Sequence, residues 1–227
     1  MRFEPVAGFT PLSAGDLLDG RGTLVVLAPH PDDETLGCGS LLAHAAAQGV
    51  ACTVVCVTDG CRSHPNSRLW PMARLADLRR QELDRAAATL GRIAVHHLGH
   101  PDCEAPRGGE AVARLSRLVP QGALFLTPWA GDPHVDHQSC AELAQAVVAR
   151  RPDLRHLAYP IWGRLRPAVP FPRTGWRLTS RHPAKPAALA CHASQMTGLI
   201  HDDPDGFTMD PELQRLFLDE PEVFLAP

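Results

Sequence analysis

No stretch of this sequence is long and apolar enough to span a bilayer. The opening segment, MRFEPVAGFTPLSAGDLLDG, carries acids and prolines instead of a continuous apolar run, so no secretory signal is expected. A basic excess is missing too. Lys and Arg number 22 against 25 Asp and Glu, a formal net charge of −3, and no block of like charge forms a tail. That leaves no electrostatic footprint for nucleic acid. Paired cysteines are also absent. The seven present (Cys38, Cys52, Cys56, Cys61, Cys103, Cys140 and Cys191) are scattered and form no C-x-x-C. A disulfide framework is not expected, and the thiols read as small buried hydrophobes in a reducing, cytoplasmic compartment. Cys52, Cys56 and Cys61 match no zinc spacing. With no internal repeat, low-complexity tract or domain boundary, residues 1–227 read as a single α/β domain large enough for a substantial core.

What is present is an alternation of strand, loop and helix. Thr23–Pro29 is an apolar run closed by proline, as in a strand buried on both faces. Thr53–Gly60, Arg92–Gly99, Ala123–Trp129 and Arg155–Trp162 repeat the pattern. Between them, helices are predicted from Glu34 to about Gln48, from Arg68 to Leu90, from Ala111 to Leu118 and from Gln138 to Arg150. Such alternation implies a mostly parallel sheet flanked by helices. Residues 163–186 break the rhythm with a proline-rich stretch, read as an extended excursion at the sheet edge or over the site. Helical character resumes over Ala187–Ile200 and Pro211–Leu218.

Ligands of open α/β sheets bind at the carboxyl ends of the strands, and the unusual residues fall there. His30-Pro31-Asp32-Asp33 follows the first strand, Asp59-Gly60 the second, Gly99-His100-Pro101-Asp102 the third and Asp132-Pro133-His134-Val135-Asp136-His137 the fourth. Adjacent carboxylates repel one another unless a cation compensates them. Imidazole and carboxylate together suit zinc, and a catalytic zinc takes three protein ligands and one water. His30 and Asp33 are spaced to fold around one ion, and His137 or His134 is the natural third ligand. Of Asp32 and Asp33, one can bind metal while the other faces the water and takes its proton. The alternative for Asp32-Asp33 is a solvated helix start. His134 and His137 taken singly could be loop histidines. The remaining histidines, His44, His64, His96, His97, His156, His182 and His201 among them, read as ordinary surface or core residues.

The segments APHPDDETLGCGSLLA (Ala28–Ala43) and DPHVDH (Asp132–His137) resemble the two signatures of the LmbE-like, or PIG-L, family of zinc-dependent N-deacetylases. Weaker similarity covers VTDG, LRRQEL, the turn Gly99–Asp102 and KPAALACHASQ (Lys185–Gln195), so the resemblance runs from about Leu24 to Gln195. It implies a Rossmann-like α/β core holding one Zn2+, with Fe2+ or another divalent ion as alternatives. It also implies His30, Asp33 and His137 as ligands, and Asp32 as general base. His134 would stabilise the oxyanion and help protonate the leaving amine, with Asp136 orienting a histidine, His134 foremost. Arg79 and Asp102 fall where family members bind substrate hydroxyls, with Arg80 an equal rival to Arg79 and an exposed helical arginine the alternative for it; His192 would line the site or else be a core or surface histidine. Glu34 would open the helix with a favourable dipole contact. Pro29 departs from the family pattern at the strand end. Residues 163–186 match nothing in it, which leaves the substrate open.

The implied reaction is hydrolysis of the acetamide, or another acyl amide, of an N-acetylglucosamine-type conjugate to acetate and free amine. The expected partner is that small molecule, and a homo-oligomer is compatible with the same reading. Two other classes fit parts of the sequence. DPHVDH resembles the zinc motif of metallo-β-lactamase-like hydrolases, whose opening sheet is antiparallel. A non-catalytic sugar-binding protein with a vestigial metal site would have no need of Asp32.

Overall fold

The computed structural model describes residues 3–227. Met1 and Arg2, which begin both the expected 1–227 domain and the segment read as lacking a signal, lie outside the described residues. A short strand β1 (Thr10–Leu12) and helix α1 (Ala14–Leu18) lead in. The alternation then follows: β2 (Thr23–Ala28), α2 (Asp33–Ala47), β3 (Ala51–Thr58), α3 (Met72–Gly91), β4 (Ala94–His100), α4 (Glu110–Leu118), β5 (Leu124–Pro128), α5 (Val135–Val148) and β6 (Arg155–Tyr159). These five strands form one parallel sheet in the order β4-β3-β2-β5-β6. A parallel sheet throughout is not the antiparallel opening of a metallo-β-lactamase.

The continuous apolar run of β2 serves two cores. Leu24, Val26 and Ala28 enter the larger core with α1, α2 and α3, while Val25 and Leu27 enter the core beneath α4 and α5. Successive side chains of a strand point to opposite faces, so a strand covered on both sides has no position left for a polar residue. The chain order reverses around β2. From β2 it steps outward to β3 and β4, then returns to β5 on the other side. The crevice between the carboxyl ends of β2 and β5 is therefore the switch point at which such sheets bind ligands. The two signature motifs follow these two strands.

After β6 comes a 3-10 turn (Trp162–Arg164), then β7 (Trp176–Leu178), α6 (Ala184–Ala190), α7 (Ala193–Met196), α8 (Pro211–Asp219) and β8 (Val223–Phe224). The proline-rich stretch does not run over the site. Its strand β7 pairs with β1 in parallel and with β8 in antiparallel fashion, making a second small sheet at the β6 edge, where Ala158 bridges Leu225. Other expectations shift for local reasons. Helix α3 begins at Met72 because Pro71 stands at its N-cap, and α5 begins at Val135 because the His134 side chain caps it. The helix expected over Ala187–Ile200 is two, α6 and α7, with the break at Cys191 and His192.

Helix α2 contains an unusual insertion. The buried Lys185 ammonium donates to the Leu36 carbonyl at 2.8 Å and pairs with Glu222 at 2.8 Å. The Glu222 carboxylate in turn accepts the N–H groups of Ser40 at 2.6 Å and Leu41 at 3.0 Å. An ion pair from α6 and the chain before β8 thus occupies the hydrogen-bonding positions in the middle of the helix that starts at the site.

Candidate metal centre and active site

Pro29 ends the strand without disturbing it: its carbonyl accepts both the N–H (2.9 Å) and the hydroxyl (2.8 Å) of Thr58. The chain then turns through His30-Pro31-Asp32 into α2. Asp32 stands at φ 134°, a left-handed-side conformation that disfavours any residue with a Cβ and costs on the order of 1–3 kcal/mol. Its neighbours hold it there. Its N–H is donated to Glu34 Oε2 at 3.0 Å, and its carbonyl accepts Thr35 and Leu36 N–H. Strain of this kind concentrates where a side chain must be aimed.

Three groups converge on one point. Asp33 Oδ2 lies 3.2 Å from His30 Nδ1 and 3.2 Å from His137 Nε2. Each imidazole has a further carboxylate near its other nitrogen. His30 Nε2 lies 2.9 Å from Asp136 Oδ2 and 3.4 Å from Asp102 Oδ1, while His137 Nδ1 lies 3.4 Å from Asp132 Oδ2. Carboxylates placed behind histidines in this way fix the tautomer and leave the inner nitrogens as lone pairs. Asp132 is itself anchored by the N–H groups of Ile161 and Gly163 at 3.1 and 3.0 Å. Asp136 accepts the N–H groups of Cys103 and Ala105 at 2.8 and 3.0 Å. His137 is fully buried, yet neither ring nitrogen has an aligned hydrogen bond. Buried polar atoms of native proteins are satisfied, so this histidine points to a cation. Two histidines and one carboxylate fit Zn2+ with an open position and equally the Fe2+ facial arrangement.

Electrostatics carry the same message. Burial disfavours charge on His137, but Asp33 and Asp132 outweigh it and push its pKa up to about 10. Burial likewise opposes charge on His30, and its bonds to Asp102, Asp136 and Asp33 raise it well above the ordinary range. The cluster demands positive charge, and a divalent ion at the inner nitrogens meets that demand in place of the two protons.

His134 differs. Its Nδ1 accepts the N–H of Asp136 at 3.2 Å as the cap of α5. An acceptor at Nδ1 places the ring proton on Nε2, so in this tautomer His134 has no lone pair free for metal and one N–H to donate. Burial, and then the charges of His30 and His137, lower its pKa and keep it neutral. The cap therefore separates the two histidines that sequence leaves as alternatives: in this tautomer His134 offers an N–H, whereas the His137 nitrogens have no aligned partner.

Asp32 is 6% exposed and faces the cavity. Burial raises its carboxyl pKa to about 7, Arg79 pulls it back and Asp33 adds to the rise. Arg79 is buried, with Nη2 at 3.1 Å from Asp32 Oδ2 and 2.7 Å from the Pro31 carbonyl, and Nη1 at 2.9 Å from the Gly60 carbonyl. Gly60 is at φ +65°, and a Cβ there would lie 2.2 Å from the guanidinium. Arg79 thus supports Asp32 before it could serve a substrate hydroxyl.

The expectation that Asp136 orients His134 is corrected by these contacts, since its carboxylate lies on His30. The expectation that His192 lines the site is corrected too. His192 is fully buried behind it, with Nε2 3.1 Å from Glu34 Oε1. Glu34 does more than open a helix: it is fully buried and binds Asp32 N–H, Thr35 Oγ1 and His192. Asp102 does line the cavity, where its carboxylate accepts Arg62 N–H at 3.1 Å. Sequence reasoning gave no role to Asp132, although it heads the second motif, or to residues 205–209, which carry no motif and form one cavity wall. None of the residues lining the cavity, a cleft of about 780 Å³, comes from 163–186.

A family model described as PIG-L, GlcNAc-PI de-N-acetylase, matches residues 25–148, which contain both motifs. A 1D-myo-inositol 2-acetamido-2-deoxy-alpha-D-glucopyranoside deacetylase from Corynebacterium kroppenstedtii is 30% identical over 84% of this chain. The chain spans 59% of that relative's length. Among solved structures, the N,N'-diacetylchitobiose deacetylase of Pyrococcus horikoshii superposes with a TM-score of 0.64 at 21% identity, covering 91% of this chain and 84% of its own. GalB, the 4-carboxy-2-hydroxymuconate hydratase of Pseudomonas putida KT2440, superposes at 0.62 with 25% identity, over 76% of this chain and 79% of its own. By its matched residues and by its fold, the chain belongs to the PIG-L family.

Proposed function

We propose that this protein is a metal-dependent N-deacetylase that hydrolyses the acetamide of an N-acetylglucosamine-type conjugate to acetate and free amine. The observation that carries the reading is the division of labour around one point: His30, Asp33 and His137 converge, while Asp32 and His134 face the cavity uncommitted to that point. A divalent ion, Zn2+ in this reading, would be held by His30, Asp33 and His137, where it lowers the pKa of water toward about 7 and polarises a carbonyl. Asp32 takes the proton of the attacking water, and Arg79 offsets part of the rise that burial imposes on its pKa. His134 donates its Nε2–H to the carbonyl oxygen as negative charge develops there, then supports protonation of the departing nitrogen. Asp136 and Asp132 hold the ligand histidines in register. Asp102 stands at the rim as a substrate contact.

The family match and the amino-sugar deacetylases among the similar proteins support this reading. Residues 1–227 acting as one domain, and a cytoplasmic location, belong to it as well. Seven cysteines without a disulfide accord with the second, and among the described residues no helix is long and apolar enough to cross a membrane. The test is acetate and free-amine release from N-acetylglucosamine and its inositol, saccharide and nucleotide conjugates, with metal-stripped and zinc-restored protein. Release that appears only with metal supports the proposal. Water addition to an enol or diene acid without amide cleavage, as the likeness to GalB allows, would overturn it.

A further inference from the structure

The cavity is larger than an acetamido sugar needs and falls in the range of about 300–1,000 Å³ that takes a drug-sized ligand. Its lining is mixed. Besides the converging acids and histidines it includes Leu36, Pro65 and Met209 and an aromatic pair. In that pair Trp162 and Phe207 meet edge to face, ring centroids 5.5 Å apart at 87°. Phe207 leaves 37% of its surface exposed. The wall at Phe207 is fixed in place. Phe207 N–H is donated to the Ser63 carbonyl at 2.7 Å, and Met209 N–H to the Gln195 carbonyl at 2.7 Å. Gly206 rests so closely on His64 that a Cβ would lie 2.2 Å from its ring.

The charges around the cavity add a constraint. Among the described lining residues, Asp32, Asp33, Asp102 and Asp205 face only two guanidiniums. Both are engaged. Arg79 is bound to Asp32 and two carbonyls, and Arg62 to Glu104 at 2.5 Å and to the Asp102 carbonyl. A divalent cation would only balance the excess of acid. Away from the metal position, a phosphate entering this space would face carboxylates with both guanidiniums already paired, and an unpaired charge taken from water is costly.

From these observations we infer that Trp162 and Phe207 form a subsite for the aglycone of the substrate, and that this subsite takes an uncharged ring presenting an apolar face and rejects phosphate-linked conjugates. The inference rests on the N-deacetylase reading and narrows its substrate class. Aromatic rings offer such a ligand large apolar contact with a defined geometry.

Zinc-loaded Asp32→Asn protein is expected to bind without turnover, so calorimetry can compare N-acetylglucosamine, its phenyl β-glycoside, N,N'-diacetylchitobiose and N-acetylglucosamine 1-phosphate. The phenyl glycoside and the disaccharide are expected to bind at least about 10-fold tighter than the parent sugar, a difference of about 1.4 kcal/mol, and the phosphate no tighter than the parent. Adding Phe207→Ala or Trp162→Ala should erase the gain and leave the parent sugar unchanged, with Phe207→Leu intermediate. The inference is overturned if the phosphate binds tightest, or if Phe207→Ala weakens all four ligands equally. Neither result touches the deacetylase reading, which fails separately if wild-type protein releases no acetate from any of them.

Discussion

Replacing Arg79 by Gln removes a positive charge from beside Asp32 while keeping a polar amide on the same helix face. The guanidinium lies 3.1 Å from Asp32 Oδ2, with both groups buried. A unit pair at that range is worth about 4 kcal/mol at an effective dielectric constant near 20. Arginine beside a carboxylate lowers its pKa by about 1–3 units. The Asp32 pKa is near 7 with Arg79 present. Loss of the charge moves it upward, and because the base acts as the carboxylate, the acidic limb of kcat/KM moves to higher pH. At pH 7 the ionised fraction falls from about one half to between about one tenth and one thousandth, a rate loss of about 5-fold to 500-fold that high pH restores. The assay is the pH profile of kcat/KM for wild type and Arg79→Gln at equal metal content. An unshifted midpoint with a uniformly lower plateau would show that Arg79 does not tune Asp32.

The ligand and base roles separate by metal analysis. Asp33→Ala and His137→Ala should purify without zinc, whereas Asp32→Ala keeps it and loses most activity; full zinc occupancy in both ligand variants would sink the assignment. Asp132→Ala frees the Nδ1 side of His137 and should weaken zinc binding by about 10- to 100-fold, read by competition with a chelating dye. Glu222→Gln leaves the Lys185 ammonium buried without its counter-charge, and should cost about 3–5 kcal/mol in denaturant unfolding. A double replacement by apolar residues of similar volume should cost less than that single one, and an equal or larger loss would contradict the pairing.

Much of this fold was readable because its physics is local. The run Thr23–Pro29 has to be covered on both faces, and glycine stops mark where the following helices end. The rim of histidines and aspartates was readable because it lies in short loops directly after strands. What escaped the sequence depends on partners distant along the chain. Nothing local distinguishes Asp136 as a support for His30 instead of His134; that follows from how the turn at Cys103 packs against the start of α5. His192 belongs to a motif and so resembled a wall of the site, yet the break between α6 and α7 turns it onto Glu34. The wall at residues 205–209 has neither periodicity nor motif, and it acquires meaning only through Ser63, His64 and Gln195, which hold it.

The insertion of Lys185 and Glu222 into α2 also bears on the order of events during folding. Ser40 N–H finds its acceptor 182 residues further along the chain. Contacts of such span form late, after the entropy of closing the intervening loop has been met. The helix that begins with Asp33 can propagate locally, but its middle is completed only when the distant segment returns. The integrity of the helix that carries Asp33 at its start thus depends on a segment that lies outside both motifs.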